Sequence, residues 1–167
     1  MPPFQGTIFC TPWWLDAVAT GEWGEITIER DGQLFARLPY VEKSRWGFRL
    51  LNMPPLTQTL GPWLRPYPGK YANRLSEEKS LITELIERLP PFDLFVQSFH
   101  YSFTNWLPFY WKGFQQTTRY TYVIEALDDL EQVWGNIDSK TRNIVRKAGK
   151  LGIVVEESDD IETFIEL

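Results

Sequence analysis

Glu25-Ile-Thr-Ile-Glu-Arg-Asp-Gly-Gln-Leu-Phe-Ala-Arg-Leu-Pro-Tyr-Val41 is the stretch that decides the fold. Apolar and polar residues alternate from Glu25 to Arg30 and again from Gln33 to Val41, the period of a strand with one buried face. Between the two runs, Asp31-Gly32 is the strongest short signal for a two-residue hairpin turn. A third run, Arg45 to Leu51, follows Lys43-Ser44, so the expectation is an antiparallel meander of three strands. Upstream, Thr11-Pro-Trp-Trp14 reads as a helix start, with Thr able to cap free N–H groups and Pro harmless at the first helical position. That helix is expected to reach about Thr20 and to stop at Gly21.

Downstream, five prolines (Pro54, Pro55, Pro62, Pro66 and Pro68) between Asn52 and Gly69 mark an extended loop. Ser76 is expected to open an amphipathic helix with Glu77 and Glu78 at its positive end, a stripe of Leu81, Ile82, Leu85, Ile86 and Leu89, and a stop at Pro90-Pro91. A short strand over Phe92 to Ser98 and a long one from about Phe114 to Glu125 complete the pattern. A helix crossing between strands favours parallel neighbours. The expected fold is therefore α/β (α+β), a three-layer domain with a mixed, largely antiparallel sheet flanked by helices.

After Glu125 the composition changes. Residues 125–138 hold five acids and no base, 139–152 five bases and no acid, and 153–167 six acids, whereas the first 124 residues are balanced at 12 bases and 11 acids. The reading is a first domain over 1–125, followed over 126–167 by the opening elements of a second. Those elements are an acidic helix (127–136), a basic helix (Ser139 to Lys150), a strand (Ile153 to Glu156) and a helix capped by Ser158 with Ile161, Phe164 and Ile165 on its apolar face. The last helix carries no stop signal, so the expectation is a protein that continues past Leu167.

The whole chain has 167 residues, a net charge of -5, one Cys, one His and 26 aromatic residues. No apolar run approaches the ~20 residues of a membrane span, and the first ten residues lack the pattern of a signal peptide, so the expected location is cytoplasmic. Cys10 and His100 alone fall short of a zinc ligand set, and a nucleophile-His site would have only His100 to draw on. A net negative charge argues against DNA or general nucleic-acid binding.

Two features could carry function. On the basic helix, Arg142, Arg146 and Lys150 recur every four residues and share one face, flanked by Lys140 and Lys147. Such a row suits a polyanion, since Arg holds phosphate oxygens through paired hydrogen bonds. The competing reading is a solvated face paired with the acids on either side. The second feature is the segment 92–122, with 12 of the 26 aromatics and interleaved polar residues, among them His100, Trp111, Arg119 and Tyr120. Its rings could line a groove that stacks on a sugar, a base or a peptide, or could form core. Gln58-Thr-Leu-Gly61 is a poor pyrophosphate loop, because Pro62 removes a donor and no helix follows directly.

Ser139-Lys-Thr-Arg-Asn-Ile-Val-Arg-Lys-Ala-Gly-Lys-Leu-Gly-Ile-Val-Val155 resembles the basic-helix motif of FemAB-type, peptidoglycan-bridge-forming transferases within the GNAT acyltransferase superfamily. The preceding Arg119-Tyr-Thr-Tyr-Val-Ile124 and the acidic helix with Leu130 and Trp134 agree, as do the Trp13-Trp14 helix, Leu38-Pro-Tyr40 and the loop from Pro54 to Pro62. The resemblance implies two tandem GNAT-like domains, of which this chain holds the first and the start of the second. It implies transfer of an acyl or aminoacyl group from acyl-CoA or charged tRNA to an amine, with a cell-wall precursor or another small or nucleotide-linked molecule as acceptor. The donor groove would draw on the missing C-terminal domain or on a second copy, leaving this portion inactive alone and without a bound cofactor. Substrate binding would fall to Arg142, Arg146, Lys147, Lys150, Arg119, Tyr120, Trp111 and His100, with no metal. The alternative is a non-catalytic module that recognises a carbohydrate, peptide or protein.

Overall fold

The computed structural model describes residues 7–124 and 126–166, the side chains of 164 and 166 excepted. It divides into two compact units, Met1–Thr117 and Thr118–Leu167. The side chain of Phe164, together with Glu125 and Leu167, lies outside the described residues.

In the first unit a single 3-10 turn, Ile8–Cys10, leads into helix α1, Pro12–Val18, with Pro12 in its first turn. Strands β1 (Trp23–Arg30), β2 (Gln33–Arg45) and β3 (Phe48–Asn52) form the expected antiparallel meander. Asp31 and Gly32 both take left-handed backbone (φ 51° and 70°), the geometry that an Asp-Gly hairpin turn demands. β2 runs four residues beyond the expected Val41, because a second tight turn at Trp46-Gly47 (φ 52° and 83°) brings Phe48 back opposite Arg45.

The Pro-rich loop contains one short strand, β4 (Trp63–Leu64), which pairs antiparallel with Ala36 and Arg37 of β2. Helix α2 spans Tyr71–Glu87, starting five residues before Ser76, since nothing after Gly69 interrupts helical backbone. Glu77 and Glu78 are consequently past its first turn, and they form ion pairs with Arg30 and Arg74 instead. The chain then crosses to β5 (Leu94–Phe95), which lies parallel to β3, as the helical crossover requires. The first unit is thus a mixed, largely antiparallel five-stranded sheet flanked by helices.

The α2 stripe serves two clusters. Leu81 and Leu85 pack on Ile26, Ile28, Ala36 and Leu38 of the sheet. Ile82 and Ile86 pack on Phe109 of helix α3 (Leu107–Trp111), surrounded by Phe95, Phe99, Phe103, Trp106 and Phe114. The rings meet edge-on or tilted, with Phe99–Phe103 centroids 5.1 Å apart and Phe109–Phe114 5.3 Å, the geometry that ring quadrupoles favour. Half of the segment's twelve aromatics therefore belong to this cluster, while Tyr101, Tyr110, Trp111, Tyr120 and Tyr122 are exposed. On the opposite face of the sheet, Cys10, Leu15 and Leu60 close a third cluster against Trp14, Trp23 and Met53.

The second unit holds α4 (Leu130–Asn136), α5 (Ser139–Lys150) and α6 (Ile161–Glu166). The strands expected at 114–125 and 153–156 do not form among the described residues. Their backbones find no neighbouring strand, and alternation alone makes no ladder. Asp160 rather than Ser158 caps α6: its carboxylate accepts from Thr163 N–H at 3.0 Å and from the Thr163 hydroxyl at 2.6 Å. Among the described residues, no helix is long and apolar enough to cross a membrane.

Candidate functional site

Each unit carries one candidate surface. In the first, a groove of about 280 Å³ beside β4 is lined by Trp63 and Leu64, by Glu78 of α2, and by His100, Ser102 and Asn105. Two contacts hold the walls. The Leu60 N–H donates to the Ser98 carbonyl at 2.8 Å, tying the Pro-rich loop to the segment that carries His100. Gly61 follows with φ 129°, and a Cβ there would stand 2.4 Å from the Phe99 ring, so only glycine permits this approach. On the far side, the Asn105 amide donates to Glu78 Oε2 at 3.1 Å, and Arg74 Nε stands 3.6 Å from Glu78 Oε1.

His100 is held by its own turn. The Ser102 N–H points at Nδ1 from 3.3 Å and the Ser102 hydroxyl lies 2.8 Å from the same nitrogen. A nitrogen that accepts from a backbone N–H carries a lone pair, so the hydroxyl also donates to it and the ring proton belongs on Nε2. The Tyr101 ring stacks on the imidazole at 4.1 Å between centroids.

In the second unit, Asp138 caps α5, accepting from Lys140 N–H at 2.8 Å and Thr141 N–H at 3.1 Å. The Thr141 hydroxyl and these amides, with a smaller effect from Arg142, hold its carboxyl below the usual aspartate range. The far end closes on Gly152 (φ 77°), with Ile153 N–H reaching the Ala148 carbonyl at 3.2 Å. Between these ends, Arg142, Arg146 and Lys150 follow one another along the helix. Arg146 lies 5.7 Å over the Trp134 ring and bonds to Asn143. Arg142 is half-buried, and its Nε has no partner among the described residues. No cation of α5 forms an ion pair there, whereas seven ion pairs stud the first unit.

The other sequence candidates are scattered. Trp111 ends α3, exposed, with the Lys79 ammonium 5.9 Å from its ring centre. Arg119 and Tyr120 lie in the segment before α4, and Tyr120 is 95% exposed. The structure thus gathers Arg142, Arg146, Lys147 and Lys150 on one helix, and places His100 in a groove with Glu78, Ser102, Asn105 and Trp63, four residues that sequence reasoning did not select. Glu78 and Asn105 are 27 positions apart, and nothing local to either announces the contact.

The sequence also gave no notice of a buried ion pair beneath the 3-10 turn. Arg37, only 8% exposed, donates from Nη2 to the Cys10 carbonyl at 2.9 Å and pairs with Glu25. Burial raises the Glu25 carboxyl above the usual glutamate range, with Arg37 pulling the other way. Burial likewise raises the Cys10 thiol, which stays protonated and is a poor nucleophile. Among the described residues, no three of His, Cys, Asp and Glu gather into a metal-binding group.

The elements define a mixed α/β unit with a polar-aromatic groove, and a helical unit whose cationic helix forms no ion pair among the described residues. Compared with protein-family models, with curated proteins and with solved structures, the chain matches none.

Proposed function

We propose that the chain is the N-terminal part of a FemAB-type N-acyltransferase with GNAT-like domains, which moves an acyl or aminoacyl group from acyl-CoA or charged tRNA to an amine. The reading comes from the motif over 139–155. The observation that carries it is the charge state of α5: five cations on one twelve-residue helix, with no acid in ion-pair contact among the described residues. A charge run is commonly a solvated face, yet among the described residues the neighbouring acids Asp129, Asp138 and Asp160 spend their carboxylates on helix caps and none forms an ion pair with α5. A row of guanidinium and ammonium groups without an ion-pair partner among the described residues is suited to a phosphate backbone or a pyrophosphate.

The chemistry asks little of the side chains. The amine nitrogen attacks the activated acyl carbon, a C–N bond forms, the C–O bond of an aminoacyl ester or the C–S bond of a thioester breaks, and the amine loses a proton. Positioning of the two substrates and stabilisation of the oxyanion supply the rate. Arg142, Arg146 and Lys150 would hold the anionic part of the donor.

Fluorescence anisotropy with charged tRNA, and calorimetry with acetyl-CoA, test the reading. Binding of one donor should fall at least tenfold in Arg142→Ala/Arg146→Ala, and for the tRNA the slope of log K against log salt should drop by about 1.4 to 1.8, from two phosphate contacts at ~0.7 to 0.9 each. Absence of binding to both donors, or binding indifferent to the two substitutions, overturns it.

A further inference from the structure

We propose that the groove beside β4 binds a single neutral sugar ring, independently of any acyl transfer. The walls are set before a ligand arrives: the Leu60–Ser98 hydrogen bond and the close approach at Gly61 fix one side, and the Asn105–Glu78 bond fixes the other. A volume of about 280 Å³ sits at the bottom of the range for ligand pockets, about 300 Å³ and upward, and suits one ring rather than a chain.

The polar inventory selects the ligand class. His100 Nδ1 is occupied by Ser102, so Nε2–H is the donor left to the imidazole. Asn105 spends one amide N–H on Glu78 and keeps its second N–H as a donor and its carbonyl oxygen as an acceptor. The Ser102 hydroxyl gives its proton to His100 and retains lone pairs, and the Thr104 hydroxyl can give or take. Donors, the His100 Nε2–H and the second Asn105 N–H, thus stand beside several acceptors in a groove that Trp63 and Phe103 also line. Sugar hydroxyls both donate and accept, and the C–H face of a pyranose packs on aromatic rings.

Charged ligands match less well. An anion would meet the Glu78 carboxylate and the acceptor oxygens, and the nearby Arg74 is already turned to Glu78. An ammonium would find the Glu78 charge answered by Arg74 and Asn105. A neutral polyol leaves that ion pair intact and uses the free lone pairs.

The experiment is saturation-transfer and chemical-shift NMR on the chain with methyl glucoside, methyl galactoside, N-acetylglucosamine and N-acetylgalactosamine, and with lysine and inorganic phosphate as contrasting probes. The expected result is binding of at least one sugar at about 0.1–10 mM, the weak affinity usual for one small ring, with shifts at the Trp63 indole and at residues 100–105. Thr104→Val, an isosteric change at an exposed position, and His100→Gln should each weaken binding at least fivefold while leaving the circular dichroism spectrum unchanged. No sugar response up to 50 mM, a response to lysine or phosphate alone, or sugar shifts that persist unchanged in both variants would overturn the proposal.

Discussion

Replacing Arg37 by Met should destabilise the first unit far more than its position on a β-strand suggests. Arg37 is 8% exposed and, among the described residues, answers the Glu25 carboxylate and the Cys10 carbonyl, while the Glu25 side chain is 23% exposed. Breaking a buried pair from one side costs about 3–5 kcal/mol, and residual access of water to Glu25 puts this case near the low end, about 3 kcal/mol. Loss of the donor to Cys10 adds roughly 1 kcal/mol, and the new methionine recovers part of it through packing. A net loss of about 3 kcal/mol moves a urea midpoint by roughly 1.5 M at a slope near 2 kcal/mol/M. Glu25→Met/Arg37→Met should recover a large part of that loss, because two apolar side chains need no desolvated charge.

The pH dependence has a definite sign. Burial already holds the folded-state pKa of Glu25 above its unfolded value near 4.3, and removal of Arg37 raises it further. A group with a raised folded pKa contributes its full stability below the unfolded pKa and loses it as pH rises through the folded one. The deficit of Arg37→Met should therefore be greatest at pH 7 and shrink on approach to pH 4. Urea titrations of the parent, the single variant and the double variant at pH 7 and pH 4.5 measure all of this. A single-variant loss under 1 kcal/mol, or one that is the same at both pH values, would refute the reasoning.

Two further outcomes follow from local geometry. Gly61→Ala places a methyl against the Phe99 ring at a φ that other residues avoid, so the first unit should lose about 2 kcal/mol or more, read as a lower denaturation midpoint with shifted Phe99 ring resonances. Asp138→Ala removes the acceptor at the start of α5: amide exchange at Lys140 and Thr141 should quicken, while Gln132, capped by Asp129, keeps its protection. In the parent this cap should hold through the ordinary aspartate range and fail only as pH falls through the depressed pKa of Asp138.

The meander was legible because Asp31-Gly32 and the two alternating runs all specify one register. Trp46-Gly47 turns the chain just as tightly, but a tryptophan with positive φ follows no turn preference, so the end of β2 could not be read. β4 was hidden for a related reason: two residues among prolines carry no period, and only the vacant edge of β2 makes them a strand. Alternation at 114–124 misled because a strand is a property of a pair. Of the candidate surfaces, α5 could be read to the residue, since spacing on one helix is local. The groove could not, because Trp63, Glu78 and His100 meet only once β4, α2 and the segment after β5 are in place. Arg37 had a usable signal in hindsight, a cation between Ala36 and Leu38 with Glu25 diagonal to it across the hairpin.

β2 pairs along one side with β4 at Ala36–Arg37 and with β3 from Val41 onward, which leaves a fork at residues 38–40. Strand backbone without a partner on one side is where one chain recruits another into a growing sheet. Pro39 sits at the fork and has no N–H to offer, and its carbonyl is taken by the Gln97 side chain at 2.9 Å. The fork is thus closed to strand addition both by the missing donor and by burial of the Pro39 side chain, so a substitution there would disturb the packing of the sheet together with the guard on its edge.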